Sequence, residues 1–193
     1  KEGSNTVLSK DFAGGMLNIV SATSAVSLRS TPVKFLCLDE VDGYPIDTDG
    51  EGSPIDLAKK RTTTFSRRKI LMGSTPTIEN ISVIAKEFKR GDMRYYHVPC
   101  PECNGKQVFK FSNLHFEKDD KHQYIPDSVH YECEFCKYEI KEFHKTWMLD
   151  NGEWIATNPE ADPKIRSYHI SSLYSPIGWK SWDEIAIEWL EAQ

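Results

Sequence analysis

Two close cysteine pairs, Cys100-Pro101-Glu102-Cys103 and Cys133-Glu134-Phe135-Cys136, constrain this chain more than any other feature. Four thiolates are enough for a closed tetrahedral zinc site. The 29 residues between the pairs exceed the usual spacing of the simple pattern. A hairpin with an extended tip accommodates them, because lengthening a loop costs little. A redox pair is the rival chemistry, but two pairs on turn-like knuckles favour zinc. A filled four-sulfur site has no open position, so its role is structural. His97 and His130 lie closest to the pairs and are the alternative ligands. The fifth cysteine, Cys37, sits alone in an apolar run and reads as a small core residue. The odd count and the absence of a signal segment argue against a disulfide framework.

Around the cysteines the pattern is that of short aromatic-rich strands, at 94–98, 107–111, 129–132, 138–142 and 166–171. A helix over 181–192 follows, with Ser181 as cap and Glu184 three residues on. Before residue 93 the texture differs. Residues 6–10 and 16–21 are β-like, with Gly14-Gly15 as the turn. Residues 22–30 read as a loop. Residues 33–38 and 69–72 are apolar runs of the kind found in parallel strands buried on both faces. Between them a loop at 42–53 leads to a helix at 53–66, with Pro54 in its first turn. A further helix is expected at 78–89, ended by Gly91. The expectation is an α/β body with a β-rich zinc module attached.

Charge supports that division. Residues 1–92 hold 13 Lys and Arg against 12 Asp and Glu, whereas residues 93–193 hold 11 against 17. A free-standing nucleic-acid binder wants a basic surface, which the second half does not offer. No apolar run is long enough to span a bilayer. The chain begins with Lys1 and reads as a piece of something longer.

The first apolar run ends in Asp39-Glu40, the Walker B arrangement. Such a strand carries its last side chains to the carboxyl edge of a parallel sheet, where ligands bind. The first acid can hold Mg²⁺, and the second can polarise the water that attacks a γ-phosphate. A strand that simply ends in solvated acids is the bland alternative. The second run ends in Gly73-Ser74-Thr75-Pro76, where a hydroxyl can sense the γ-phosphate or merely cap a helix. Arg29, eleven residues before Glu40, can reach a phosphate in its own subunit or a neighbour's, or sit on the surface. No GxxxxGK[ST] phosphate loop occurs in the 193 residues, so this piece alone is expected to hydrolyse ATP negligibly.

Taken in order, Leu38-Asp39-Glu40-Val41-Asp42-Gly43-Tyr44-Pro45, Glu51-Gly52-Ser53-Pro54, Lys60-Arg61, Gly73-Ser74-Thr75-Pro76, the two cysteine pairs, and Ser167-Tyr168-His169-Ile170 with Tyr174-Ser175-Pro176 form a recognisable series. The chain resembles the large terminase subunit of lambda-type tailed bacteriophages and prophages, from about residue 5 to its end. The resemblance implies a DNA-packaging motor. An ASCE (RecA-like) parallel-sheet ATPase domain, driven by Mg²⁺ and ATP, pumps double-stranded DNA into a procapsid, and an RNase H-like endonuclease domain cuts the concatemer. It implies partners (the small terminase subunit and the portal or procapsid), a homo-oligomeric ring, no membrane, and the cytoplasm of a bacterial host. Residues 1–92 correspond to the C-terminal part of the ATPase domain, 93–146 to a zinc-ribbon-like module, and 147–193 to the end of that domain toward the nuclease. The phosphate loop is expected upstream of Lys1 and the nuclease acids beyond Gln193. Asp39 corresponds to the Mg²⁺ acid, Glu40 to the residue acting on the attacking water, Ser74 and Thr75 to the coupling motif, and Arg29 to an arginine acting on a neighbour's ATP. Two other readings remain open: a zinc-ribbon module that docks protein or nucleic acid without catalysis, and a helicase-like motor of another family.

Overall fold

A computed structural model of the chain describes residues 5–78 and 80–193. It is a mixed α/β structure of small sheets and short helices, divided into two units, residues 1–86 and 87–193.

In the first unit β1 (Ser9–Phe12) and β2 (Gly15–Asn18) form an antiparallel hairpin. Its turn needs Gly14, whose φ is +90°, a conformation glycine adopts without steric penalty. The segment expected as a loop at 22–30 instead contains α1 (Ala25–Ser30). The hydroxyl residues that suggested a loop serve as its cap: Ser24 Oγ accepts the Ser27 N–H at 3.3 Å. Next come β3 (Phe35–Leu38), α2 (Pro54–Lys60), β4 (Lys69–Met72) and α3 (Val83–Arg90), whose last four residues fall in the second unit. Ser53 caps α2 with Pro54 in the first turn. The helix stops at Lys60 rather than 66, because Thr62 and Thr63 turn their hydroxyls onto the Lys59 and Lys60 carbonyls at 2.8 Å. Helix α3 starts at Val83 rather than 78, where Ser82 Oγ accepts the Ala85 N–H.

Strands β3 and β4 are parallel, with Leu36 opposite Ile70 and Leu38 opposite Met72. Leu36, Leu38 and Met72 face a small core built from Ala25, Leu28, Val41, Ile55, Leu57 and Ala58. The opposite face is open, which corrects the expectation of strands buried on both sides. Phe35 is 65% exposed and Leu71 67%. Cys37 is likewise exposed, not a core residue. The reason is the two-residue period of a strand: Phe35, Cys37 and Leu71 point away from the helices that cover their neighbours. Among the described residues β3 pairs only with β4.

The second unit has a central strand, β5 (Arg94–Pro99), in register with three others. These are β6 (Lys106–Gln107), then β10 (Glu153–Ala156), antiparallel to β5, and β11 (Tyr168–His169), parallel to it. A separate meander joins β7 (Leu114–His115), β8 (His130–Glu132) and β9 (Glu139–Ile140). Two helices complete the unit, α4 (Lys145–Asp150) and α5 (Trp182–Glu191). Helix α5 carries the foreseen capping box between Ser181 and Glu184. Neither α4 nor β10 was foreseen. The core gathers Val98, Phe109, Tyr131, Met148, Tyr174 and Trp182. Two of its aromatic side chains bond their polar atoms internally. Tyr174 Oη donates to the Tyr96 carbonyl and accepts the Phe109 N–H, and Trp182 Nε1 donates to the Leu173 carbonyl.

Candidate ATPase edge and four-cysteine site

The parallel register brings the carboxyl ends of β3 and β4 side by side. Gly73 N–H donates to the Leu38 carbonyl at 2.9 Å, and Val41 N–H to the Gly73 carbonyl at 3.3 Å. Between these bonds the chain reverses at Glu40, whose φ of 52° and ψ of 48° lie in the left-handed region. For a residue with a Cβ that conformation costs about 1–3 kcal/mol and persists only where its surroundings enforce it. Here the reversal carries the Glu40 carboxylate to Ser74: Ser74 Oγ lies 3.3 Å from Glu40 Oε2. Asp39 and Thr75 are exposed at the same edge. Arg29, at the end of α1, is ion-paired with Glu51 at 2.7 Å, while Arg61 Nη1 donates to its carbonyl. Asp49 Oδ2 accepts the Ala25 N–H at the start of the same helix.

One residue of this edge escaped the sequence reading. Asp42 occupies the 3-10 turn Val41–Gly43 directly after Glu40. Its Oδ2 accepts both the N–H and the hydroxyl of Thr77 at 3.0 Å, and its Oδ1 accepts the Ile84 N–H at 2.8 Å. Burial alone raises a carboxyl pKa, but the donors on Ser82, Ile84 and Thr77 outweigh it and hold Asp42 well below the usual carboxylate range. The signal in the sequence was a third acid two residues beyond the pair. Its partners lie 35 and 42 residues away, beyond the reach of any local pattern.

In the second unit the four cysteine sulfurs all lie within 4.8 Å of one another. Cys100 Sγ is 3.8 Å from Cys136 Sγ, and Cys103 Sγ is 3.8 Å from Cys133 Sγ. Sulfurs bound at ~2.3 Å to a tetrahedral zinc stand about 3.8 Å apart, whereas a disulfide needs ~2.05 Å. The donor set and its spacing fit zinc. Both knuckles are built alike. Asn104 N–H returns to the Cys100 carbonyl and Lys137 N–H to the Cys133 carbonyl, each donor residue at a φ near 60°. Gly105 lets the knuckles approach, since a Cβ there would meet Phe135 at 2.4 Å. Gln107 Oε1 braces the second knuckle by accepting the Glu134 N–H. Burial pushes the Cys100 thiol up to about 12. At Cys133 burial is outweighed by the N–H groups of Cys136 and Phe135 and by its sulfur neighbours, bringing it down to about 7. His97 and His130 lie outside the cluster, each with Nδ1 against a backbone carbonyl, of Tyr95 and Ser128 respectively.

Residues 1–154 match the family described as phage terminase large subunit gpA, ATPase domain. The chain belongs to the phage terminase large-subunit family. It is 31% identical to the terminase large subunit of Enterobacteria phage P21 and 28% identical to that of Escherichia phage lambda. Both alignments cover 100% of the chain and 32% and 33% of the relatives, so the chain spans about a third of their length. No solved structure matches it. Among the described residues no helix is long and apolar enough to cross a membrane.

Proposed function

We propose that this terminase chain supplies the hydrolytic edge of a DNA-packaging ATPase, together with a zinc-stabilised module of the same ATPase domain. The observation that carries the reading is the convergence of Glu40 and Ser74 at the paired carboxyl ends of two parallel strands, within a segment matching a terminase ATPase domain. That edge is where open α/β sheets bind ligands, and it suits a RecA-like sheet extended by further strands. In this reading Asp39 holds the magnesium ion that accompanies ATP. Magnesium supplies charge neutralisation at the phosphates. Glu40 orients the attacking water and accepts its proton, and Ser74 fixes the carboxylate for that task. Thr75, exposed beside it, belongs to the segment that reports phosphate loss to moving parts. Arg29, parked on Glu51, acts on a neighbouring subunit's ATP within a homo-oligomeric ring.

The four thiolates of Cys100, Cys103, Cys133 and Cys136 hold a structural zinc. The family match runs through both cysteine pairs, which supports a zinc insertion within the ATPase domain. In this reading residues 1–92 are the C-terminal part of the ATPase domain, 93–146 the zinc-ribbon-like module and 147–193 the end of that domain, the last two segments sharing one core. The complete protein pumps double-stranded DNA into a procapsid in the host cytoplasm, engages the small terminase subunit and the portal, and cuts concatemeric DNA with an endonuclease domain. The 193 residues contain no GxxxxGK[ST], so in this reading the phosphate loop belongs to another segment of the protein.

The test is ATP turnover and nucleotide binding by the full-length protein. Glu40→Gln lowers turnover by roughly 100-fold to 10,000-fold with binding retained, as expected for loss of a general base. Asp39→Asn weakens Mg²⁺-dependent binding. The isolated chain hydrolyses ATP negligibly. Turnover near wild type in Glu40→Gln, or robust hydrolysis by the isolated chain, overturns the reading.

A further inference from the structure

We infer that Asp42 is a positioning residue for ATP hydrolysis, holding the Ser74 hydroxyl in place so that Ser74 in turn fixes the Glu40 carboxylate. The inference rests on the assignment of Glu40 proposed above and adds a residue that acts through it.

The segment 73–77 follows β4 and carries Ser74. It is pinned at its start by the Gly73 N–H bond to the Leu38 carbonyl. At its end it is pinned by Asp42, which takes both the N–H and the hydroxyl of Thr77 on a single oxygen. The middle of the segment is held from the same residue. The Asp42 backbone N–H donates to Ser74 Oγ at 3.2 Å. That bond occupies an acceptor site on the hydroxyl and turns its one proton toward the two acceptors at 3.3 Å, Glu40 Oε2 and the Thr75 carbonyl. The second carboxylate oxygen of Asp42 accepts the Ile84 N–H in the first turn of α3. Ser82, just before that helix, adds its hydroxyl.

The Asp42 carboxylate is therefore committed to three hydrogen bonds, two from Thr77 and one from Ile84, with Ser82 adding to their effect. A carboxylate so engaged does not serve as a metal ligand or a base. The chemistry is left to Asp39 and Glu40, and the third acid of the motif becomes a clamp. The clamp matters because Glu40 stands on a left-handed backbone that nothing local to it favours. Displacement of a catalytic group by about 1 Å can cost on the order of 100-fold in rate.

The experiment is steady-state ATP hydrolysis by the full-length protein carrying Asp42→Ala, Ser74→Ala, the double substitution, and Glu40→Gln as reference, with thermal melting of each. Asp42→Ala lowers kcat by roughly 10-fold to 100-fold and leaves KM for ATP little changed. Alanine keeps the Asp42 N–H but releases the carboxylate's hold on Thr77 and Ile84 that aims it at Ser74, so both changes loosen one chain of contacts and the double variant is no slower than the slower single. Thr77→Val keeps the backbone amide bond but removes the hydroxyl, lowers kcat by a smaller factor, and serves if Asp42→Ala does not fold. Wild-type kcat in Asp42→Ala or Thr77→Val, with Glu40→Gln inactive, overturns the inference alone. Multiplicative losses in the double variant also overturn it, since they mean that Asp42 acts independently of Ser74. Near-wild-type turnover in Glu40→Gln brings down the underlying assignment first, and the clamp with it.

Discussion

The two units solve the same problem, bringing distant segments to one place, by different means. The second unit does it with mass. Trp182, Tyr131 and Met148 are fully buried, Phe109 stacks edge-on to Trp182 and Tyr131, and the four sulfurs lie beside this core. Even its buried Lys145 is used structurally, paired with Glu142 at 2.5 Å beneath the Trp182 ring. The first unit has a smaller core of Ala, Leu, Val and Ile residues and leaves Phe35, Leu71 and much of the β1–β2 hairpin exposed. Its working edge is held by polar contacts instead: Asp42 on Thr77 and Ile84, Ser74 on Glu40, Glu51 on Arg29. A packed aromatic core specifies a shape that should not move. A small core with polar clamps holds a geometry that can be altered by a few hydrogen bonds, as the nucleotide-responsive edge proposed above requires.

Four perturbations sharpen or break that contrast. The largest effect belongs to the metal. Stripping zinc with a chelator, or Cys133→Ser, abolishes the cooperative unfolding transition of the second unit, because structural zinc contributes on the order of 10 kcal/mol in small domains. Near-ultraviolet circular dichroism of its tryptophans reports this, and metal analysis of untreated protein finds about one zinc per chain. A transition unchanged by chelation would break the comparison at its root. Next, Trp182→Ala destabilises the second unit by about 3–5 kcal/mol in urea, and Leu38→Ala the first by about 2–3 kcal/mol, its small core placing it low in the usual range. Equal losses would mean that the cores do not differ.

The third perturbation is pH. The folded-state pKa of Asp42 is depressed, so its stabilising contribution is complete above the ordinary carboxylate pKa of ~3.9 and fades as pH falls below it. The urea midpoint of Asp42→Asn therefore lies below wild type at pH 7, and the gap narrows as pH drops from 4 toward 2. A gap that is constant with pH would mean the carboxylate is not the group that matters. The smallest effect is at Cys37, whose exposure predicts that Cys37→Ser changes stability by less than about 0.5 kcal/mol.

Local rules carried far in this chain. The bounds of β4 at Lys69–Met72, the capping boxes and caps at Ser181 and Ser53, and the membership of the four-cysteine cluster all follow from residue type and near spacing. They were legible because the forces behind them act within a turn or a strand, or because thiolates have few other uses at that spacing. Where local rules compete, the reading slipped. A run of Ser and Ala reads as a loop until a core forms for Ala25 and Leu28 to enter, and an apolar strand reads as buried until its neighbours are counted.

The amino-acid order by itself determined which cysteines cluster, the strand that ends in Asp39-Glu40 and the family to which the chain belongs. Only the tertiary structure decided which of three neighbouring acids meets Ser74, which one clamps Thr77 and Ile84, and that Arg29 pairs with Glu51. Those choices are made through space, between residues some twenty to forty positions apart. They depend on the parallel register of two strands and on one left-handed residue, neither of which any stretch of sequence specifies alone.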